Sequence, residues 1–169
     1  IELGKEGELH IVHVTSILKK DKTSFWIGTG SGLYLFDRIQ MKVLKKIVYS
    51  ENGDSGLSNN TVLSLLALSN NQLLVGTANY LNLLDFGEPY FKNISKDKRG
   101  KHLLNDNVIF SVFKDGKDLW IGTSDGGLNL IRKNKTYTFK EDQNNSKSIS
   151  GNVIREIVKD EKNQILWLA

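Results

Sequence analysis

The residues best equipped for recognition chemistry sit in short polar stretches: Asn59-Asn60, Asn79-Tyr80, Asn105-Asp106-Asn107, Asp125 after Ser124, and Arg155. Amides and hydroxyls donate and accept hydrogen bonds, carboxylates accept them, and a nearby aromatic ring adds a stacking surface. That combination suits a hydroxyl-rich ligand. The competing role for Asn60, Asn107 and Asn152, which recur in register, is to tie the backbone of their own loops. Tyr80 and Arg155 break the recurrence, and a residue that breaks a structural repeat is a stronger candidate for function than one that obeys it. Catalytic chemistry is not expected. His10, His13 and His102 lack metal-ligand spacing, and no nucleophile elbow, phosphate loop or zinc motif occurs. Asp106, Asp125 and Glu156 come from different loops or strands and are not expected to converge as a glycosidase pair would. No catalytic residue, metal ligand or cofactor is therefore assigned.

The elements that must position these residues announce themselves by repetition. Phe25-Trp26-Ile27-Gly28-Thr29, Leu73-Leu74-Val75-Gly76-Thr77 and Leu119-Trp120-Ile121-Gly122-Thr123 are variants of one short strand, and Leu166-Trp167-Leu168-Ala169 begins it a fourth time. The anchor positions 28, 76, 122 and 169 are separated by 48, 46 and 47 residues. A period near 47 residues signals a repeat architecture. An apolar run precedes each anchor, at 12–18, 62–68, 108–113 and 153–158, across a polar hairpin with Asn-Asn, Asp-Gly or Asp-Glu-Lys-Asn turn chemistry. Third strands begin at Leu33, Leu81 and Leu128, and fourth strands cover 43–49, 90–94 and 136–139. Pro89 falls in a hairpin, where a missing amide donor does no harm.

The first two strands of each unit are apolar on both faces, as in Val62-Leu63-Ser64-Leu65-Leu66, whereas a sheet with one buried face would alternate. Burial on both faces is what radial stacking of four-stranded sheets demands. The predicted fold is all-β: a β-propeller fragment of roughly three and a half four-stranded blades, with approximate blades at 8–53, 58–101 and 105–148 and a partial blade at 150–169. Trp26, Trp120 and Trp167 recur at the blade period inside apolar strands and are expected to pack in the core rather than to stack on sugars. In a propeller, the loops joining second to third strands and fourth to next first strands emerge on one face. The loops with Asn59-Asn60, Asn79-Tyr80, Asn105-Asp106-Asn107 and Ser124-Asp125 belong to that set, whereas Arg155 lies in the run 153–158.

At the anchors the sequence resembles the two-component regulator propeller repeat. The units that carry the likeness are Phe25-Trp-Ile-Gly-Thr-Gly-Ser-Gly-Leu-Tyr-Leu-Phe-Asp37 and Lys117-Asp-Leu-Trp-Ile-Gly-Thr-Ser-Asp-Gly-Gly-Leu-Asn-Leu130, with 107–112 and 152–157 similar to that family's innermost strand. The second unit departs from the pattern, with Leu74 for the tryptophan and no glycine after Ala78. The resemblance implies a seven-bladed propeller in the periplasmic sensor region of a bacterial hybrid two-component histidine kinase, an inner-membrane protein, with oligosaccharides among the expected ligands. The kinase would lie outside these residues. The alternative is a scaffold propeller that binds other proteins.

Bulk properties narrow the partners. The 169 residues are 39% hydrophobic and 25% charged, as in a globular protein. No apolar window is long enough to cross a membrane as a helix, no signal peptide is expected within these residues, and there is no cysteine. The net charge of +4 comes from scattered lysines; the one basic cluster, 96–101, has no aromatics interleaved, so neither nucleic acid nor membrane is expected as a partner. The Asn59-Asn60-Thr61 and Asn134-Lys135-Thr136 triplets are read as chance matches to a glycosylation signal. The chain starts at Ile1 and stops inside a repeat, so it reads as part of a longer protein. Its apolar blade faces are expected to be covered by the remaining blades or by a second copy.

Overall fold

The computed structural model describes residues 13–51, 56–69, 71–87, 90–94, 103–133 and 135–169. The expectations for His10, His102, Pro89, Asn134 and the basic cluster 96–101 fall outside them. The first blade comprises β1 (Val14–Lys19), β2 (Ser24–Thr29), β3 (Gly32–Asp37) and β4 (Lys42–Ile47); the second comprises β5 (Val62–Ala67), β6 (Gln72–Thr77), β7 (Leu81–Asp85) and β8 (Tyr90–Asn93). The third comprises β9 (Ile109–Asp115), β10 (Asp118–Thr123), β11 (Leu128–Arg132) and β12 (Lys135–Phe139), and β13 (Ile157–Asp160) with β14 (Ile165–Leu168) forms half of a fourth. Every sheet is an antiparallel meander in chain order. The protein is an all-β propeller segment of three four-stranded blades and one two-stranded blade.

The core lies between blades. Trp26, Leu33 and Ile47 of the first blade pack on Val62, Leu73 and Leu84 of the second. Leu74 and Leu81 of the second meet Ile109 and Ile121 of the third, and Leu128 of the third meets Ile154 and Ile157 beyond it. Strands covered on both faces need apolar residues at consecutive positions, which explains runs such as Leu73-Leu74-Val75. The outermost strands β4 and β12 are largely exposed and correspondingly rich in lysine and threonine.

The joint between blades repeats. Ser64 Oγ donates to the carbonyl of Ile109 at 3.4 Å, Ser111 Oγ donates to that of Ile154 at 3.3 Å, and in the first blade Thr15 Oγ1 donates to that of Val62. The anchor glycine lies at the same joint. A β-carbon on Gly76 would collide with Ser64 Oγ and approach Ile109 Cγ2 to 2.8 Å and its carbonyl oxygen to 2.9 Å; Gly28 and Gly122 are hemmed in the same way. The recurring Gly-Thr is thus a close-approach requirement between neighbouring blades.

Asp21 closes the first hairpin by accepting from the amides of Thr23 at 2.9 Å and Ser24 at 2.8 Å. The Thr23 amide, with that of Ser24, holds its carboxyl down to about 2.

Three details differ from the sequence reading. The fourth innermost strand begins at Ile157 rather than 153, because the amides of Arg155 and Glu156 both converge on the Ala169 carbonyl while Ile154 N bonds to Thr123 O. The first blade's outer strand ends at Ile47, because Tyr49 leaves it to bridge Leu57 in parallel. Trp167, expected in the core, is 63% exposed. Its counterpart Trp26 is 4% exposed and stacks on Phe86 of the next blade, at 5.0 Å between ring centroids. Trp167 holds the same register position, and among the described residues no aromatic ring packs on it as Phe86 packs on Trp26.

Candidate functional site

On the loop face, the β6–β7 turn of the second blade meets the chain running from β4 to β5. Between them lies a cavity of about 180 Å³ lined by Tyr49, Ser50, Glu51, Ser58, Asn79, Tyr80, Asn82 and Asn93. Tyr49 reaches it because the 48–50 segment pairs with Leu57: Leu57 N donates to Val48 O at 2.9 Å and Ser50 N to Leu57 O at 3.1 Å. This strap leaves Tyr49 48% exposed and presents Glu51 beside it.

Tyr80 is the unusual residue of this wall. It has φ of 77° in the turn after β6. The corresponding turns of the first and third blades place Gly32 (φ 126°) at the start of the third strand and Gly127 (φ 74°) just before it. A side chain in the left-handed region costs roughly 1–2 kcal/mol, which is why glycine is the ordinary choice there. Met41, Lys133 and Gln164 also have positive φ, but each sits in a tight polar turn between strands. The Tyr80 backbone is held firmly: its amide donates to Asn107 O at 2.6 Å, and its carbonyl accepts from Thr77 N at 3.1 Å and Thr77 Oγ1 at 2.9 Å.

Behind the rings is a polar floor. Asn82, only 2% exposed, accepts from Ser58 N at 3.0 Å and donates to Ser58 Oγ at 2.9 Å and Val75 O at 3.3 Å. Ser58 Oγ in turn donates to the Asn79 carbonyl and lies 3.2 Å from Thr77 Oγ1. Asn93, the strand partner of Asn82, has a buried side-chain oxygen without a hydrogen-bond partner.

Of the residues singled out from sequence, the structure brings only Asn79 and Tyr80 into this cavity. Asn59 Oδ1 accepts from Thr61 N at 2.8 Å, and Asn60 Oδ1 from Tyr49 N at 2.7 Å. Asn152 Oδ1 accepts from Glu141 N at 2.9 Å, so for Asn60 and Asn152 the backbone-tying role is the one observed. Asn105, Asp106 and Asp125 gather around the next β–β turn. There Asn105 Nδ2 donates to Gly126 O at 2.6 Å, and Asp106 accepts from Ser124 Oγ at 2.8 Å, Asp125 N at 2.7 Å and Val108 N at 3.1 Å. Partial burial would raise the Asp106 carboxyl, but the hydrogen bond from Ser124 and those from Val108 and Asp125 outweigh it and hold the group below its ordinary value. That carboxylate is committed to structure. Asn107 touches the cavity wall through its carbonyl alone, and Arg155 is exposed, its guanidinium 4.8 Å over the Phe110 ring.

Sequence reasoning missed Tyr49, Glu51, Asn82 and Asn93. Asn82 could have been found, since Leu-Asn-Leu recurs at 81–83 and 128–130. Tyr49 and Glu51 come from a connection of irregular length, and Asn93 ends β8 as the strand partner of Asn82. A larger cavity of about 330 Å³ opens at the opposite end of the first two blades. Its aromatic residues Trp26 and Phe86 stack on each other, and its Gln72 donates to Asp85 at 2.7 Å, so its wall is already engaged in packing. Among the described residues no group of three or more His, Cys, Asp or Glu could hold a metal, and no helix is long and apolar enough to cross a membrane.

The stacked four-stranded meanders define a β-propeller. Residues 102–125 match the family model described as two component regulator propeller, so the chain carries that repeat. In fold it is similar to the extracellular domain described as that of hybrid two component system BT3049 from B. thetaiotaomicron, at 18% identity and a TM-score of 0.74 over 99% of this chain and 22% of that one. The extracellular domain described as that of one component system BT4673 from the same organism is similar at 22% identity and a TM-score of 0.58, over 99% of this chain and 27% of that one. The computationally designed Ika4 protein is similar over 99% of this chain and 98% of its own, at 12% identity and a TM-score of 0.55. The chain thus spans about a quarter of the two bacterial ectodomains it matches. A sequence comparison with curated proteins finds no match.

Proposed function

We propose that this propeller segment is part of the extracytoplasmic, periplasmic sensor region of a hybrid two-component histidine kinase, that it is non-catalytic itself, and that it binds a hydroxyl-rich ligand such as an oligosaccharide. The observation that carries the ligand-binding part is Tyr80. An aromatic ring occupies a turn where the neighbouring blades use glycine, at a backbone conformation unfavourable to any side chain, and it lines a polar cavity on the loop face. Strain retained at a cavity wall is what a binding role accounts for. A second aromatic, Tyr49, with amides and a carboxylate around it, matches the mixture that holds sugar rings by stacking and hydrogen bonding. The sensor assignment draws its support from the two-component regulator repeat at 102–125. The scaffold alternative asks for an apolar patch on the loop face, whereas the cavity there is lined mostly by polar residues.

Calorimetric titration of the intact ectodomain carrying this segment with polysaccharide fragments tests the reading. Binding that disappears in Tyr80→Gly is the expected result. Silence across a broad panel would count against sugar recognition.

A further inference from the structure

Resting on that reading, we infer that the Tyr49–Tyr80 cavity selects donor-rich sugars that carry a protonated amine and rejects acidic ones. The polar groups of its floor are largely spent on one another. Asn82 uses both its oxygen and its nitrogen, and Ser58 Oγ both donates and accepts. What the described lining offers a cation is the Glu51 carboxylate, with which no cation among the described residues pairs; the Asn93 side-chain oxygen, though without a partner, is buried beneath the wall. Neither lysine nor arginine occurs among the described lining residues, of which Glu51 alone carries a formal charge.

Both aromatic walls favour the same choice. The face of a tyrosine ring is negative and attracts a cation held over it. An ammonium group brings three donors and no acceptor, complementing a carboxylate flanked by two tyrosines. A uronate, sulfate or phosphate ester brings acceptors and negative charge to a site already furnished with both. An uncharged hydroxylated sugar falls between the two.

The test titrates the intact ectodomain calorimetrically with three probes of one size: the glucosamine trimer under mildly acidic conditions, the N-acetylglucosamine trimer and the galacturonate trimer. The amino trimer is expected to bind most tightly and the galacturonate trimer least. Glu51→Gln is expected to weaken the amino trimer about fivefold, the effect of one water-screened unit charge about 4 Å away, and to weaken the N-acetylated trimer less. Tyr80→Gly is expected to abolish binding of both. Galacturonate binding as tight as that of the amino trimer overturns the charge selection and leaves the sugar-sensing reading standing. Binding that survives Tyr80→Gly places the site elsewhere and also overturns the inference. Failure of all three probes to bind removes the underlying sugar reading, and the inference with it.

Discussion

Replacing Tyr80 with glycine should remove the cavity's aromatic wall without unfolding the protein, and comparison with the alanine variant shows why. Tyr80 has φ of 77°. Alanine removes the ring but keeps a β-carbon in the left-handed region, so roughly 1–2 kcal/mol of backbone strain persists. Glycine removes that strain, and against it stands about 0.4–1 kcal/mol for the greater freedom of glycine in the unfolded chain. Both variants lose the same half-buried ring. The glycine variant should therefore be the more stable of the two by about 0.5–1 kcal/mol, the reverse of the usual order in a strand or helix. For a domain of this size that difference is a melting temperature roughly 2–3 °C higher. Parallel thermal melts of Tyr80→Gly and Tyr80→Ala, with ligand titration of each, measure both quantities. An alanine variant as stable as the glycine variant would show that the backbone is unstrained. A glycine variant more than about 2 kcal/mol below the parent would mark the ring as core packing.

Other expectations follow from the blade joints and the hairpins. Gly76→Ala should destabilise the protein by about 1–3 kcal/mol, as overpacking does, because its new methyl meets Ser64 Oγ and the Ile109 carbonyl. Gly30→Ala, with open space around its β-carbon position, should leave the denaturant midpoint nearly unchanged. The Asp21 carboxyl, whose folded value is depressed to about 2 by the Thr23 and Ser24 amides, should stabilise the fold above the ordinary carboxylate range; that contribution should fade as pH falls toward 2. Side-chain carboxyl NMR should follow its titration, and Asp21→Asn should flatten this part of the stability profile. Acrylamide should quench Trp167 strongly and Trp26 hardly at all in the 169-residue chain; in the intact ectodomain Trp167 should become shielded, and persistent quenching there would refute coverage of this face by further blades.

The blades were legible in the sequence because their cause is local and repeated. A strand sandwiched between two neighbours must be apolar on both faces, and the Gly-Thr anchor recurs because the blade joint leaves no room for a β-carbon at Gly28, Gly76 or Gly122. Tyr80 was legible as a departure from the repeat, though the sign of its φ was not, since only the turn geometry reveals what the substitution costs. Glu51 and Tyr49 were not legible as cavity residues. They reach the site through the pairing of 48–50 with Leu57, a contact with no counterpart among the described residues of the other blades. Asn59, Asn60, Asn105 and Asp106 looked available because a residue type announces hydrogen-bonding capacity and stays silent about where that capacity is used. The exposure of Trp167 has the same origin: its strand announces burial, but the partner that provides it must come from another unit.

The joint formed by a hydroxyl, a neighbouring carbonyl and an anchor glycine has a consequence for how such a chain can change. Ser64 reaches Ile109, and Ser111 reaches Ile154, always one unit onward and never two. Coupling between nearest neighbours alone means that a whole cassette of about 47 residues can be duplicated or excised with every surviving joint still matched, whereas a deletion within a cassette breaks two joints at once. Drift is then channelled. The anchor glycine is locked by the unit beyond it, while the turn four or five residues later, tied to its neighbour through backbone, carries glycine in the first and third blades and tyrosine in the second. In a chain of this kind, novelty accumulates in the turns, and copy number changes by whole blades.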